Sequence, residues 1–294
     1  MAKFTGVLRK MTGSLGDLTF RDLNGQTVVS EKLVKVPNPR TTKQMRRRAQ
    51  WLNVMAFGQL INEFNHPAFE SKPRTMSDIN AFVQANIGVI PVFITKGEKL
   101  QGGCVVAAYQ VTRGSLPAIV QTLSAGDVVV TDISLGSMSI TASTTLKAFS
   151  NAVVNNNDSY QYGDQISCYI FTQSVNSESQ VPYVKMQAFE VTLDANDEET
   201  LLRDLVGAEG FSVVDSHLGA GQTVNGGIVY IHSRKNASGK TLVSTQNVVV
   251  SNSILPNYQS AAQAEVSMES LGWEQKDEPF LTPNVNDVVE PVTP

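Results

Sequence analysis

The sequence is poor in cysteine, and its two cysteines lie far apart. Cys104 and Cys168 are separated by 64 positions (168 − 104), so they lack the C-x-x-C spacing of a redox pair or a zinc site. Both lie in apolar segments typical of strands, and residues 1–6 show no apolar core of a signal peptide. We therefore expect two buried free thiols in a reducing compartment.

The sequence also lacks a long apolar run. A membrane-spanning helix needs roughly 18 or more consecutive apolar residues, and no segment approaches that length. Charged residues make up only 17% of the chain, whereas Ser, Thr, Asn, Gln and Val are frequent. We expect no membrane contact, and β structure with polar outer faces.

Histidine is scarce as well. The three histidines, His66, His217 and His232, are not spaced as metal ligands, and structural roles are favoured for all of them. The chain has no Gly-x-Ser-x-Gly motif, which is typical of a nucleophilic serine in α/β-hydrolases.

Two segments imitate ligand-binding loops without completing the pattern. Residues 238–241 (Ser-Gly-Lys-Thr) resemble the end of a phosphate-binding loop, but the first glycine of that loop would fall at Arg234 and a strand follows instead of a helix. The acidic residues at 194–199 lack the central glycine and closing glutamate of a calcium loop. The sequence therefore predicts no enzyme, no cofactor, no metal site and no small-molecule substrate.

Charge is distributed unevenly along the chain. Residues 1–50 contain eleven Lys/Arg and three Asp/Glu, a net charge of 11 − 3 = +8. The whole chain has a net charge of −4, so the remainder carries −4 − 8 = −12. A basic N-terminal part and an acidic remainder indicate that the two parts contact different surfaces, or that each contacts a neighbouring subunit in an assembly.

The clearest local pattern is a helix between Pro39 and Pro67. Thr41 and Gln44 have the spacing of a capping box at its start, and Pro67 ends it because proline disfavours helical geometry in its predecessor. Apolar residues recur on one face of this helix, at Met45, Ala49, Leu52, Ala56 and Leu60.

The same helix holds the densest positive charge. Arg46, Arg47 and Arg48 are consecutive, so they fan over about 200° of the helix surface and cannot all face one groove. Arg47 can form a stripe with Lys43 and Arg40. Nucleic-acid contact, ion pairs with an acidic neighbouring subunit and a solvated face all remain open. The candidate interaction residues are Arg40, Lys43, Arg46, Arg47, Arg48 and Trp51, with Gln50 beside the stripe.

Other helices and a hairpin flank this element. Asn24-Gly25 lies between the β-prone segments 18–21 and 27–32, which predicts a hairpin. Ser77 caps a second helix at 78–86. Weaker patterns predict short helices at 198–205 and 261–271.

From about Ile90 the pattern changes to short strands separated by turn residues. The predicted strands are 90–95, 105–112, 118–122, 128–135, 145–148, 165–172 and 184–193, followed by 212–216, 228–233 and 241–250. The fold class is mainly β with an α-helical N-terminal region (α+β). We expect an antiparallel β-sandwich, immunoglobulin-like in architecture, plus the N-terminal hairpin and long basic helix.

The patterns divide the chain into five regions. These are an extended arm and β-hairpin (1–37), a helical region (38–88), a β-sandwich domain (89–193), a second β-rich region (194–272) and an acidic, proline-containing tail (273–294). The tail has few apolar residues, so we expect a partner to order it.

Several motifs carry a family resemblance. Residues 12–21 (TGSLGDLTFR), 24–32 (NGQTVVSEK) and the pattern Asn38-Pro39-Arg40-Thr41-x-x-Gln44-x-x-Arg47-x-x-x-Trp51 resemble a domain-of-unknown-function family of Bacteroidetes and their crAss-like tailed phages. Residues 112–116 and 232–246 resemble later landmarks of that family. The resemblance covers about residues 5–250 and leaves the acidic tail outside.

The resemblance implies a virion structural protein, because family members in crAss-like phages lie among virion genes. We expect an oligomeric ring, neck or tail (connector) subunit that contacts copies of itself and other virion subunits and is assembled in the bacterial host cytoplasm. One alternative is a nucleic-acid-binding or packaging-associated protein that uses the basic helix. Another is a carbohydrate-binding β-sandwich on the particle surface.

Overall fold

The computed structural model describes residues 2–4, 12–23, 26–32, 40–73, 76–124, 128–207, 211–220, 225–251 and 255–274. The fold is mixed α/β, with mostly antiparallel sheets and a few helices. No sheet closes into a barrel within these ranges.

The N-terminal sheet has four strands: β1 (Ala2–Phe4), β2 (Gly13–Leu15), β3 (Leu18–Leu23) and β4 (Gln26–Glu31). Their order is β1-β4-β3-β2. The predicted hairpin is confirmed by the pairing of β3 with β4, while its turn, Asn24-Gly25, lies outside the described residues.

The predicted extended arm is partly sheet. Strand β2 pairs with β3 across a two-residue turn, and Gly16 in that turn has a φ of +56°, a conformation that glycine adopts at little cost. Residues 5–11 of the arm and the segment 33–39 lie outside the described residues.

Six α-helices occur among the described residues. They are α1 (Thr42–Ile61), α2 (Asp78–Asn86), α3 (Lys96–Leu100), α4 (Leu146–Asn156), α5 (Leu202–Val206) and α6 (Ala261–Ser270). A 3₁₀ turn at Pro256–Gln259 precedes α6. The predicted hydroxyl caps are confirmed: the Thr41 hydroxyl accepts from the Gln44 amide at 3.4 Å, which is the first of the two bonds of a capping box, and Ser77 accepts from the Asn80 amide at 3.2 Å.

The remaining strands are β5 (Gln110–Thr112), β6 (Gln121–Ser124), β7 (Val128–Ser134), β8 (Gln165–Val175), β9 (Pro182–Thr192), β10 (Ser212–Val214), β11 (His217–Gly219), β12 (Gly226–Lys235), β13 (Thr241–Val243), β14 (Gln246–Asn247) and β15 (Val249–Val250). A central sheet has the order β13-β12-β8-β9, with β15 also paired to β12. An outer sheet has the order β10-β11-β7-β6, and β14 pairs with β5.

The central sheet is covered on both faces. Alternate residues of a strand point to opposite sides of the sheet, and here the two sets enter different apolar clusters. On one face, Tyr169, Phe171, Val229 and Ile231 join the helical core, the buried apolar cluster shared with α1, α2 and residues 104–111. On the other face, Ile166, Cys168, Ile228 and Tyr230 join the sheet core, the cluster shared with the outer sheet, α4 and α5. Strand β12 is therefore buried along most of its length.

The sheets also link regions that the sequence divides. Strand β12, from the predicted second β-rich region, pairs antiparallel with β8, from the predicted β-sandwich domain, over Gly226–Ser233. The described residues contain no helix that is both long enough and apolar enough to cross a bilayer.

Four predicted strands need correction. Residues 145–148 begin α4, because the Thr145 hydroxyl caps the helix by accepting from the Ala148 amide at 3.3 Å. Residues 90–95 form no strand. In the predicted strand 105–112 only Gln110–Thr112 is a strand. The predicted strand 241–250 is divided into β13, β14 and β15, separated by residues 244–245 and 248.

Residues 104–109 are not a regular strand because side-chain amides take the place of a neighbouring strand. Asn53 from α1 accepts from the Val105 amide at 2.8 Å and donates to the Val105 carbonyl at 2.9 Å. Asn86 from α2 makes the same pair of bonds with Gln110, at 2.8 and 2.9 Å. Gln173 from β8 accepts from the Val106 amide at 2.8 Å. The side-chain amides thus satisfy the hydrogen-bonding groups of the backbone at these points, as a buried segment requires.

Candidate interaction surface on the first helix

A shallow groove of about 300 Å³ lies on the outer face of α1. It is lined by Gln44, Arg47, Arg48 and Trp51, whose spacing of three, one and three residues places them on one side of a helix. All four side chains are exposed, and Trp51 keeps 46% of its surface accessible. An indole beside two guanidinium groups offers apolar area and positive charge together.

The groove faces outward because the opposite side of α1 is buried. Met45 and Ala49 are fully buried in a cluster with Phe93, Ala264 and Met268, which joins α1 to α6; we call it the helix junction. The predicted buried face is confirmed at Met45, Ala49 and Ala56, whereas Leu52 and Leu60 are only partly buried. Buried residues that the apolar pattern does not include are Gln50, Asn53, Val54, Phe57, Gly58 and Ile61.

Arg47 packs against the turn that follows α2. A β-carbon added to Gly88 would collide with the Arg47 guanidinium, and Gly88 has a φ of +81°. Glycine at position 88 therefore serves two purposes: it permits the backbone conformation and leaves room for the arginine.

The other arginines of the predicted set point in different directions. Arg46 lies over the Phe93 ring at 5.8 Å from its centroid, a cation–π geometry. Arg48 Nη1 donates to the Met45 sulfur at 3.7 Å. Arg40 Nη1 donates to the Gly272 carbonyl at 2.6 Å, which ties the start of α1 to the end of α6.

The groove brings together only part of the predicted interaction set. Arg47, Arg48 and Trp51 line it, while Arg40 lies near the end of α6 and Arg46 faces the helix junction. Lys43 is exposed on α1. Gln50 was expected beside the surface stripe, but it is only 8% exposed and is therefore buried. Gln44, which the set omitted, could have been found from its three-residue spacing to Arg47.

A second polar cluster is buried and centres on Asp164. Its side chain has no exposed surface and accepts from Arg234 Nε at 2.6 Å and from Arg234 Nη2 at 2.7 Å. His232 Nε2 lies 2.8 Å from Asp164 Oδ2, and the Tyr160 ring stacks on the imidazole at 4.5 Å. Burial alone raises the pKa of Asp164, but hydrogen bonds from Arg234 and His232 outweigh it and hold that pKa below its ordinary value.

This cluster joins the loop before β8 to β12, and its donors are directed at one carboxylate. Asp164 Oδ2 also accepts from the Gln161 amide at 3.0 Å. The arrangement fixes chain positions, in agreement with the structural role favoured for His232. The sequence does not single out Asp164, because its partners lie about 70 residues further along the chain.

A smaller cluster surrounds Glu190. Tyr169 donates to Glu190 Oε1 at 2.7 Å, and Asn65 donates to Oε2 at 2.6 Å. His66 Nε2 lies 3.4 Å from the Tyr169 hydroxyl. Burial lowers the pKa of His66, so its neutral form is favoured beside the helical core.

The thiols and acidic turns fit structural roles. Cys104 and Cys168 are free and buried, as expected, and burial raises the pKa of each thiol to about 12. Asp197, in the acidic turn, accepts from the Thr200 amide at 2.8 Å, and Glu198 forms an ion pair with Lys147. Within the described ranges, no three His, Cys, Asp or Glu side chains are grouped to hold a metal ion.

Compared with protein-family models, with curated proteins and with solved structures, the chain matches none.

Proposed function

We propose that the chain is a structural component of a tailed bacteriophage virion, a ring, neck or tail (connector) subunit that assembles with copies of itself and other virion subunits. Its body would be an antiparallel β-sandwich, immunoglobulin-like in architecture. Support for the sandwich comes from the sheet core, where Val129 and Leu218 of the outer sheet meet Ile166 and Tyr230 of the central sheet.

The observation that carries the proposal is the exposed cationic face at the N-terminal end of a chain whose remainder is acidic. The groove of α1 presents Arg47, Arg48 and Trp51, and the N-terminal sheet presents Leu15, 71% exposed, and Leu18, 45% exposed. A basic surface with exposed apolar residues suits contact with the acidic body of the next subunit. Such a head-to-tail contact closes into a ring only at a fixed copy number.

Light scattering and electron microscopy of the full chain test this proposal. We expect closed oligomers at low salt that dissociate as salt rises, because screening weakens contacts between exposed charges. Charge reversal in the groove, Arg48→Glu, should reduce assembly, while the control Lys235→Glu at the exposed end of β12 should not. Rings that form equally well with Arg48→Glu would contradict the role given to the groove.

Membership of the virion needs a separate measurement. We expect mass spectrometry of purified particles to find the chain at a stoichiometry of several copies per particle. A chain that is abundant in infected cells but absent from purified particles would refute the virion assignment, whatever its oligomeric state.

The second candidate is nucleic-acid binding through α1, favoured by the position of Trp51 beside two arginines in the groove. Aromatic rings stack on unpaired bases while arginines contact phosphates. Titration of labelled single-stranded and duplex DNA at several salt concentrations distinguishes the candidates. Binding whose affinity falls steeply with salt and is lost in Trp51→Ala would favour this function over subunit contact.

A further inference from the structure

The end of α6 lies beside the start of α1, the helix that carries the groove. The Arg40 guanidinium holds the Gly272 carbonyl at 2.6 Å, and Trp273 packs on the helix junction beside Met45 and Ala49. The chain therefore leaves its last described residue, Glu274, beside the start of α1. Residues 275–294 lie outside the described residues.

The tail and the groove have complementary charge. Residues 274–281 (EQKDEPFL) contain three acidic residues and one lysine, a net charge of 1 − 3 = −2, followed by Phe280 and Leu281. Along α1 from its start, the groove presents Arg47 and Arg48 and then Trp51. In the tail, acidic residues precede the aromatic Phe280. In the groove, counted from the start of α1, arginines precede the aromatic Trp51. The two segments therefore carry charge and an aromatic ring in the same order.

The distances allow this pairing within one chain. From Thr42 to Trp51 the helix rises about 14 Å at 1.5 Å per residue. An extended chain from Trp273 to Phe280 spans up to roughly 25 Å at 3.3–3.6 Å per residue. The segment is therefore long enough to run from the helix junction along α1 to Trp51.

We propose that residues 274–281 occupy the α1 groove of the same chain, with Asp277 and Glu278 on Arg47 and Arg48 and with Phe280 on the Trp51 ring. Tethering favours the chain's own tail, since a short linker within one chain gives an effective concentration in the range of about 1 mM. The inference does not depend on assembly into a virion. If the groove does contact a neighbouring subunit, that subunit must first displace the tail.

Fluorescence of Trp51 tests the proposal in the full-length chain. Trp51 and Trp273 are the two tryptophans, so Trp273→Phe leaves Trp51 as the single reporter while keeping an aromatic ring at the helix junction. We compare acrylamide quenching in this parent, in Asp277→Lys/Glu278→Lys, and in the control Asp287→Lys/Glu290→Lys. Both tail variants change the net charge by the same amount.

The proposal predicts a quenching constant about twofold higher for Asp277→Lys/Glu278→Lys than for the parent, because covering one face of the indole removes about half of its accessible surface. The control should match the parent. Equal quenching in all three proteins, or an equal rise in both tail variants, would overturn the proposal.

Dilution and charge exchange complete the test. Protection of Trp51 that is lost when the protein is diluted about a hundredfold would mean that another copy supplies the tail, which overturns the same-chain assignment.

Arg47→Glu/Arg48→Glu should raise quenching, and combining it with Asp277→Lys/Glu278→Lys should restore protection. Failure of restoration in a combined variant with the parent's circular dichroism spectrum would overturn the assigned pairing.

Discussion

Replacement of Asp164 tests whether the buried cluster at β12 stabilises the fold. In Asp164→Ala, Arg234 loses both of its bonds to the carboxylate and His232 loses its partner at 2.8 Å. Removing one partner of a buried ion pair costs about 3–5 kcal/mol. The Arg234 side chain is 24% exposed and can recover some hydration, so we expect a loss near the lower end, about 3 kcal/mol.

Asp164→Asn separates charge from shape. The amide has nearly the same volume and keeps one acceptor oxygen, so the expected loss is about 1.5–3 kcal/mol, the range of a hydrogen bond to a charged group. The control is Asp158→Asn, the same substitution at an exposed position in the loop before β8. We expect the control to change stability by less than about 0.5 kcal/mol.

The effect should depend on pH in a defined direction. Hydrogen bonds hold the pKa of Asp164 in the folded protein below its ordinary value of about 3.9. The carboxylate therefore stabilises the fold fully above the unfolded-state pKa, and this contribution is lost as the pH falls through the folded-state pKa. The stability difference between the parent and Asp164→Asn should be largest at neutral pH and shrink below about pH 4.

Urea unfolding followed by far-UV circular dichroism, at neutral pH and at several acidic pH values, measures these differences. Equal losses for Asp164→Asn and Asp158→Asn at neutral pH would refute the structural role of the cluster. A difference that grows as the pH falls would refute the assigned direction of the pKa shift.

Three further predictions concern α1 and the thiols. Leu52→Asp should lower the free energy of unfolding by about 1–3 kcal/mol, since a partly buried carboxylate retains some water, and an unchanged urea midpoint would place Leu52 at the surface. Gly88→Ala should cost about 1–3 kcal/mol through its φ of +81° and should displace Arg47, which would be seen as a changed urea midpoint and a shifted Trp51 emission. Cys104 and Cys168 should react with a thiol reagent only after unfolding, because burial raises the pKa of both to about 12, and peptide mapping under non-reducing conditions should find no bridge between them.

The local parts of the fold could be predicted where short-range chemistry determines them. Thr41 and Ser77 cap their helices within three residues, and β3 pairs with β4, the next strand along the chain, so sequence spacing is enough. Thr145 is a cap of the same kind, but Thr145–Ala148 is short enough to be interpreted equally well as a strand.

The long-range parts could not be predicted, because their partners are distant in sequence. Asn53 pairs with Val105, which is 52 positions away, so the apolar pattern of residues 105–109 predicts a strand where side chains supply the hydrogen bonds. The groove was predictable in composition, as an arginine-rich helix face with Trp51. The hydrogen bond from Arg40 to Gly272 was not, because 232 positions separate the two residues.

The amides that hold residues 104–110 also determine when this segment can become protected from isotope exchange. In a sheet, a backbone N–H is protected as soon as its neighbouring strand forms. Here the N–H groups of Val105, Val106 and Gln110 reach acceptors on α1, β8 and α2. Protection of all three hydrogens therefore requires all three elements to be assembled, and each exchange rate reports the opening of one tertiary contact.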